Sequence, residues 1–217
     1  MKIAIIGATG TIGQRITNEA LERGHEVKAL LRDPERIAKI ELSHPKLSVA
    51  QVDILDPASV AAAVADVDVV VNATGARAGD IRKFYVDSTN AVIEAVKRTG
   101  SKRLLVVGGA GSLEVAPGML LVNIPEFREE WKPGANAQVE TLVIYRSSAI
   151  DWTFFSPSAL IMPGRRTGKY LLGTDQLLTN DQGESYISAE DYAVALLDEI
   201  ENPQFIRQRF TAVSLEK

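Results

Sequence analysis

The chain has 217 residues, 46% hydrophobic and 24% charged, with a formal net charge of −4; these are ordinary globular proportions and support one large domain with a sizeable core. The mild acidity argues against a nucleic-acid partner, which would call for a basic stripe. The absence of cysteine removes a disulfide framework, a thiolate metal site and a cysteine nucleophile.

Two histidines, His25 and His44, are too few and too scattered for a metal cluster, so no metal is expected. The opening apolar run stops at Gly7. That is short of a signal peptide's core and of a membrane span of ~20 residues, so a cytoplasmic protein with no membrane partner is expected.

In chain order, Lys2 to Ile6 reads as a parallel strand buried on both faces. A helix follows from about Thr11 to Arg23, with Ile12, Ile16 and Ala20 as its apolar stripe, and Gly24 ends it. Glu26 to Leu31 is a second strand. Asp33 and Pro34 then suit an N-cap and a first-turn proline. Leu47 to Val52 is a third strand, and Asp56-Pro57 opens a helix running to about Ala65. Val67 to Val71 is a fourth strand, Ile81 to Thr99 a long helix stopped by Gly100, and Lys102 to Val107 a fifth strand.

Gly108 to Gly134 reads as a long loop carrying Phe127 and Trp131. A helix from Asn136 to Ser148 and a strand from Trp152 to Phe155 come next. Beyond Pro163 the pattern changes. Lys169 to Leu172 and Gln176 to Thr179 are expected as short strands, Asn180 to Gly183 as a hairpin turn, Ser188 with Asp191 as a capping box, Ala189 to Glu201 as a helix and Arg209 to Ser214 as a last strand. The repeated β-α units predict an α/β fold, a doubly wound parallel sheet with helices on both faces. It is one domain over 1–217, with 156–217 forming a smaller substrate-side extension. A monomer and a homodimer are both open.

The strongest motif is Gly7-Ala8-Thr9-Gly10-Thr11-Ile12-Gly13, set between a strand and a helix. Gly7 permits the tight turn, Gly10 lets backbone N–H groups reach a pyrophosphate, and Gly13 lets the helix pack closely on the sheet. At the end of strand two, Arg32 suits a ribose 2′-phosphate and so favours NADP(H). The alternative is a solvated Arg32 with Asp33 serving NAD(H), but Asp33 already reads as the helix cap, which favours NADP(H). After strand three, Asp53 suits the adenine amino group with Ile54 against the ring, or is a solvated loop carboxylate. Ala73, Thr74 and Gly75 after strand four, and Gly108 and Gly109 after strand five, are small enough to leave room for a cofactor. Ser112 is either an ordinary turn serine or a residue that orients the substrate. Phe127 and Trp131 wall an acceptor or plug the core. Arg165, Arg166 and Lys169 read as a solvated loop, with an anion site as the alternative.

The segments GATGTIG (7–13), LLRDP (30–34), VDILDP (52–57), VVNATG (70–75), VVGGAGSL (106–113), DWTFFSPSAL (151–160) and the tail from Arg166 to Glu201 carry a resemblance over nearly the whole chain. The chain resembles an atypical short-chain dehydrogenase/reductase of the NAD(P)H-binding group. It is similar to the NmrA-like proteins and to the bacterial NADH-flavin-reductase-like and biliverdin-reductase-B-like enzymes. The resemblance implies that Gly7, Thr9, Gly10, Thr11 and Ile12 cradle the pyrophosphate and that Arg32 meets the 2′-phosphate. It further implies that Asp53 and Ile54 flank adenine, that Thr74 and Gly75 line the ribose, and that Ser156, Pro157 and Ser158 border the nicotinamide.

One departure matters. The superfamily's tyrosine is followed four residues later by lysine. Here the residues four after Tyr85, Tyr145, Tyr170, Tyr186 and Tyr192 are Thr89, Ala149, Thr174, Glu190 and Leu196. The usual alcohol/ketone machinery is missing. Hydride transfer to a flavin, quinone or bilin remains, because a conjugated acceptor delocalises the incoming charge and proximity does most of the work. A dinucleotide-binding redox sensor and a nucleotide-sugar epimerase or dehydratase are the rival readings.

Overall fold

A computed structural model of the chain describes residues 1–33, 44–76, 79–100 and 103–216. The strands are β1 (Lys2–Ile6), β2 (Glu26–Leu31), β3 (Leu47–Gln51), β4 (Val69–Asn72), β5 (Arg103–Val107), β6 (Glu114–Ala116), β7 (Met119–Leu120), β8 (Trp152–Ser156), β9 (Leu160–Met162), β10 (Tyr170–Gly173), β11 (Tyr186–Ser188) and β12 (Gln208–Ser214). The α-helices are α1 (Thr11–Glu22), α2 (Pro57–Val64), α3 (Ile81–Arg98), α4 (Lys132–Arg146) and α5 (Ala189–Glu201).

Eight strands form the main sheet in the order β10-β12-β8-β5-β4-β1-β2-β3. Every pairing is parallel except β10 with β12 at one edge. Strand order reverses at β1, which lies between β2 and β4. This is the Rossmann-like arrangement, and it opens a crevice at the carboxyl ends of β1 and β4.

Period-two alternation along the strands fills two cores. Ile3, Ile5 and Phe155 pack with Ile16 and Ala20 of α1 and with Leu196 and Leu197 of α5. Ala4, Ile6 and Phe154 pack on the other face with Val60 of α2, Val92 and Val96 of α3 and Leu142 of α4.

The expected elements appear with shifted ends. The third strand closes at Gln51, and the fourth runs Val69–Asn72 because Val67 turns back on the Val64 carbonyl. Helix α4 starts at Lys132, four residues earlier than expected, because Pro133 stands in its first turn, where a proline loses no hydrogen bond. The long loop after β5 is not irregular throughout: it holds the β6–β7 hairpin and three-residue 3₁₀ turns. Gln176 to Thr179 is not a strand. Gln176 makes one bridge to Glu114, and the chain then leaves for the Asn180–Gly183 turn. β9 and β11, which the sequence pattern did not mark, form a two-stranded parallel sheet. The helix expected from Pro34 lies outside the described residues.

The segment after Ser156 does not stand apart: β10 and β12 complete the main sheet and α5 covers one of its faces. Its remaining strap, 163–169, is latched to α1 and α5. Asp191 is fully buried. Its carboxylate accepts hydrogen bonds from Thr167 N (2.7 Å), Thr167 Oγ1 (2.7 Å), Gly168 N (2.8 Å) and Ser214 Oγ (2.9 Å). Ser188 caps α5 by accepting from Asp191 N, but Asp191 does not close the box; its side chain holds the strap instead. Arg166 reaches Glu19 through two hydrogen bonds of 2.7 and 2.8 Å, and with Arg23 it holds the Glu19 carboxyl below the usual carboxylate range. The basic stretch is thus anchored through Arg166 to an acidic partner.

Asp191→Ala removes a buried acceptor that satisfies four donors at once. It is expected to lower unfolding free energy by roughly 3–5 kcal/mol in urea titrations, whereas replacing an exposed strap charge such as Arg165 should shift it by at most about 0.5 kcal/mol.

Candidate functional site

The Gly7–Gly13 segment links the end of β1 to the start of α1. Gly7 has φ +85°, and a Cβ on it would stand 2.7 Å from the Ala73 carbonyl oxygen after β4. A Cβ on Gly13 would overlap the Gly7 carbonyl group, with Ala8 Cα at 3.1 Å. The fold itself therefore demands glycine at both positions.

Gly10 is different. Its φ of −76° and ψ of 165° suit any residue, and a Cβ would meet one atom, the Gly7 oxygen at 3.3 Å. Gly10 is also the N-cap of α1, where no side chain caps the free N–H groups and no acidic residue occupies the first turn. By contrast α2, α3 and α5 are capped by Asp56, Asp80 and Ser188, while α4, which also lacks a side-chain cap, continues directly from the 3₁₀ turn at Glu129–Trp131. An uncapped, positively polarised helix end behind a bare backbone is the environment a pyrophosphate needs, so these residues fit a dinucleotide. Thr9, Gly10 and Ile12 are half-buried and Thr11 is exposed along this edge.

The other expected contacts border the same crevice. Arg32 is exposed after β2, and no hydrogen bond or ion pair holds its guanidinium among the described residues. Asp53 is exposed; one carboxylate oxygen accepts from Leu55 N (3.0 Å) and shapes the loop, while its own N–H donates to Ser59 Oγ (3.0 Å). Ile54 is half-buried against the core. Ala73 and Thr74 are half-buried and Gly75 is exposed. Thr74 donates from N (3.2 Å) and Oγ1 (2.6 Å) to Asn72 Oδ1, which fixes the turn leaving β4.

The run after β5 is small for reasons of packing. A Cβ on Gly108 would enter the Phe154 ring, and one on Gly109 would overlap the Gln138 carboxamide of α4. Ser156, Pro157 and Ser158 are buried at the end of β8, and Ser158 Oγ donates to the Ala212 carbonyl (2.7 Å). Ser112 is 4% exposed. Its Oγ lies 3.1 Å from Gly109 O and 3.2 Å from Ser156 Oγ, and it accepts from Arg209 Nη1 at 3.2 Å. Arg209 also donates to the Ser112 carbonyl and to Asp175. The Ser112 hydroxyl therefore ties the ends of β5, β8 and β12 together. In the loop, Phe127 and Trp131 meet edge to face at 6.4 Å, and Arg128 stacks on the Trp131 ring, which is 48% exposed.

Sequence reasoning missed Arg209, Gln138 and Asn72. A buried polar residue in an apolar strand is a visible signal for Arg209 and Asn72. Gln138 is legible only once α4 is known to cross Gly109.

Fold and site together define a Rossmann-type dinucleotide-binding domain. The family model for NAD(P)H-binding domains matches residues 7–203, and the chain belongs to that family. It is 42% identical to the YwnB protein of Bacillus subtilis, over 99% of both chains. Among solved structures, it is similar to a Bacteroides thetaiotaomicron protein provisionally named an epimerase, at 40% identity and TM-score 0.90, covering 100% of this chain and 98% of that one. It is also similar to a Streptococcus pneumoniae protein provisionally named an NADH-flavin reductase, at 34% identity and TM-score 0.86, covering 99% of each. Among the described residues no helix is long and apolar enough to cross a membrane, and no group of three potential ligands could hold a metal.

The glycines give a contrast to test. Gly10→Val should keep a near-native thermal melt and lose NAD(P)H binding in a fluorescence titration. Gly13→Val should lose both, since its Cβ overlaps backbone. Undiminished binding by a folded Gly10→Val protein would remove the pyrophosphate from this turn.

Proposed function

We propose that the protein is a cytoplasmic, NADPH-preferring reductase that passes a hydride to a flat conjugated acceptor such as a flavin, quinone or bilin. The observation that carries the dinucleotide is the uncapped α1 N-terminus behind Gly10. Supporting NADPH over NADH, the Arg32 guanidinium is exposed at the end of β2 with no partner among the described residues, and a planar fork of donors matches a phosphate. Supporting reduction of a conjugated acceptor are the missing tyrosine-lysine pair and the likeness to the S. pneumoniae protein. That missing pair weighs against epimerase chemistry.

Bound NADPH would supply two electrons and a proton as hydride. The chain's part is binding and orientation. The α1 N–H groups hold the pyrophosphate, Arg32 the 2′-phosphate, Asp53 and Ile54 the adenine, and Thr74 and Gly75 the ribose. Ser156, Pro157 and Ser158 form the wall at the reactive end. Ser112 orients and transfers no proton; through Ser156 and Gly109 it keeps the ends of β8 and β5 in register.

Two substitutions test this reading. Arg32→Ala should weaken NADPH by roughly 1.5–3 kcal/mol in binding titrations and leave NADH nearly unchanged; equal losses would take Arg32 off the 2′-phosphate. Ser112→Ala should slow steady-state NADPH oxidation with FMN by about tenfold or less, as for one neutral hydrogen bond, with NADPH affinity intact. A thousand-fold loss, the scale of a general acid, would make Ser112 a proton donor. Tight NADPH binding without turnover on any flavin or quinone would favour the redox sensor.

A further inference from the structure

Gly75, just past β4, is a glycine that the fold does not demand. Its φ lies outside the left-handed region, and a Cβ there would meet one atom within 4 Å, Tyr85 Oη at an ordinary 3.6 Å. Every other glycine outside the α-helices either has a positive φ or would press its Cβ on a neighbour at 3.3 Å or less. Alanine at an unstrained site narrows the unfolded ensemble and stabilises the chain, so a glycine kept there points to something that must come close.

What a methyl would adjoin is the Tyr85 hydroxyl. Tyr85 is half-buried on α3, and Gly75 beside it is exposed. Tyr85 Oη accepts a hydrogen bond from Gln138 Nε2 (3.3 Å), and its own proton has no acceptor among the described residues. A phenol can give one hydrogen bond while it takes another. Thr74, next in the chain, differs: its hydroxyl already donates to Asn72 Oδ1 (2.6 Å). Tyr85, Gln138, Asn72 and Thr74 share a cavity of about 10 Å³. That is room for about one water, so a larger ligand has no place there and meets Tyr85 from the exposed Gly75 side.

Strand order decides which part of a dinucleotide lies over Gly75. Across the sheet run β3, β2, β1, β4, β5 and β8. In the reading proposed above, Asp53 after β3 and Arg32 after β2 take the adenosine half. The turn after β1 takes the pyrophosphate, and Ser156 at the end of β8 borders the nicotinamide. The position after β4 falls between pyrophosphate and nicotinamide, where the nicotinamide ribose lies.

We propose that Tyr85 is a cofactor-binding residue: its Oη–H donates a hydrogen bond to a hydroxyl oxygen of the nicotinamide ribose, and Gly75 stays bare to let that ribose come within reach. The inference rests on the cofactor orientation of that reading.

The test is calorimetric titration with NADPH and NADH, and with 2′,5′-ADP and ADP, fragments that lack the nicotinamide ribose. A thermal melt accompanies each variant. Tyr85→Phe should raise the dinucleotide Kd about threefold to tenfold, the effect of one hydrogen bond, and leave the fragments unchanged. Gly75→Ala should melt at or above the wild-type temperature, weaken the dinucleotides at least threefold and spare the fragments. Adding Tyr85→Phe to Gly75→Ala should cost little more, because the methyl already denies the contact. Wild-type dinucleotide affinity in either single variant overturns the inference and leaves the cofactor reading standing. So do equal losses for dinucleotides and fragments, which would move Tyr85 to the adenosine half or to the fold. Fully additive losses would separate Gly75 from Tyr85 and overturn it as well. If Tyr85→Phe fails to fold, Gly75→Ala alone decides. A wild type that binds no dinucleotide would sink the cofactor reading and this inference with it.

Discussion

Backbone pressed on backbone at the end of β1 is the constraint from which the rest is built. Gly7 faces the Ala73 carbonyl and Gly13 faces Gly7, so strand, turn and helix meet with no side chain between them. This seats α1 deeply on the sheet, where Ile16 and Ala20 join the same core as α5. The α1–α5 pair in turn presents Glu19 and Asp191 to the strap at 163–169. A close approach at one turn thereby governs a face of the molecule that is remote from it in sequence.

The two sides of the sheet carry different kinds of polar chemistry. Beneath α5, the Asp191 carboxylate is satisfied by hydroxyls and backbone amides, a local network that fixes the path of the strap. Beyond β5, Arg209 supplies donors from within the sheet to the Ser112 carbonyl and to Asp175, closing the loop that follows the strand. Buried polar groups of this kind are costly when left unpaired, so they specify one arrangement of the irregular segments more sharply than apolar contacts do. Apolar packing dominates in the central strands; polar pairing dominates where the chain departs from the regular pattern.

How far the sequence could be read follows that division. β1, β2, α5 and the glycine turn were legible because hydrophobic period and flanking glycines agreed. The strap, β9 and β11 were not, because three-residue strands carry too little periodicity and their placement depends on distant partners such as Asp191. Gly108 and Gly109 illustrate an ambiguity: small residues at a strand end signal either room for a ligand or a near neighbour, and only the positions of Phe154 and Gln138 reveal the near neighbour. Ser112 sits in a glycine-rich run that leaves both a turn role and an orienting role open, and Gly109, Ser156 and Arg209 take up its hydroxyl.

The three glycines of the turn also answer to different pressures over descent. Gly7 and Gly13 are held by the fold and should persist in any lineage that keeps the architecture. Gly10, whose backbone angles any residue can adopt, is not held by the fold, and on the proposed reading it is the pyrophosphate that keeps it bare. A descendant that gave up its nucleotide would be free to drift there first, leaving a turn with its outer glycines intact and a side chain in the middle. Such a sequence would still look like a dinucleotide binder to a pattern search, and the middle glycine alone would betray the loss.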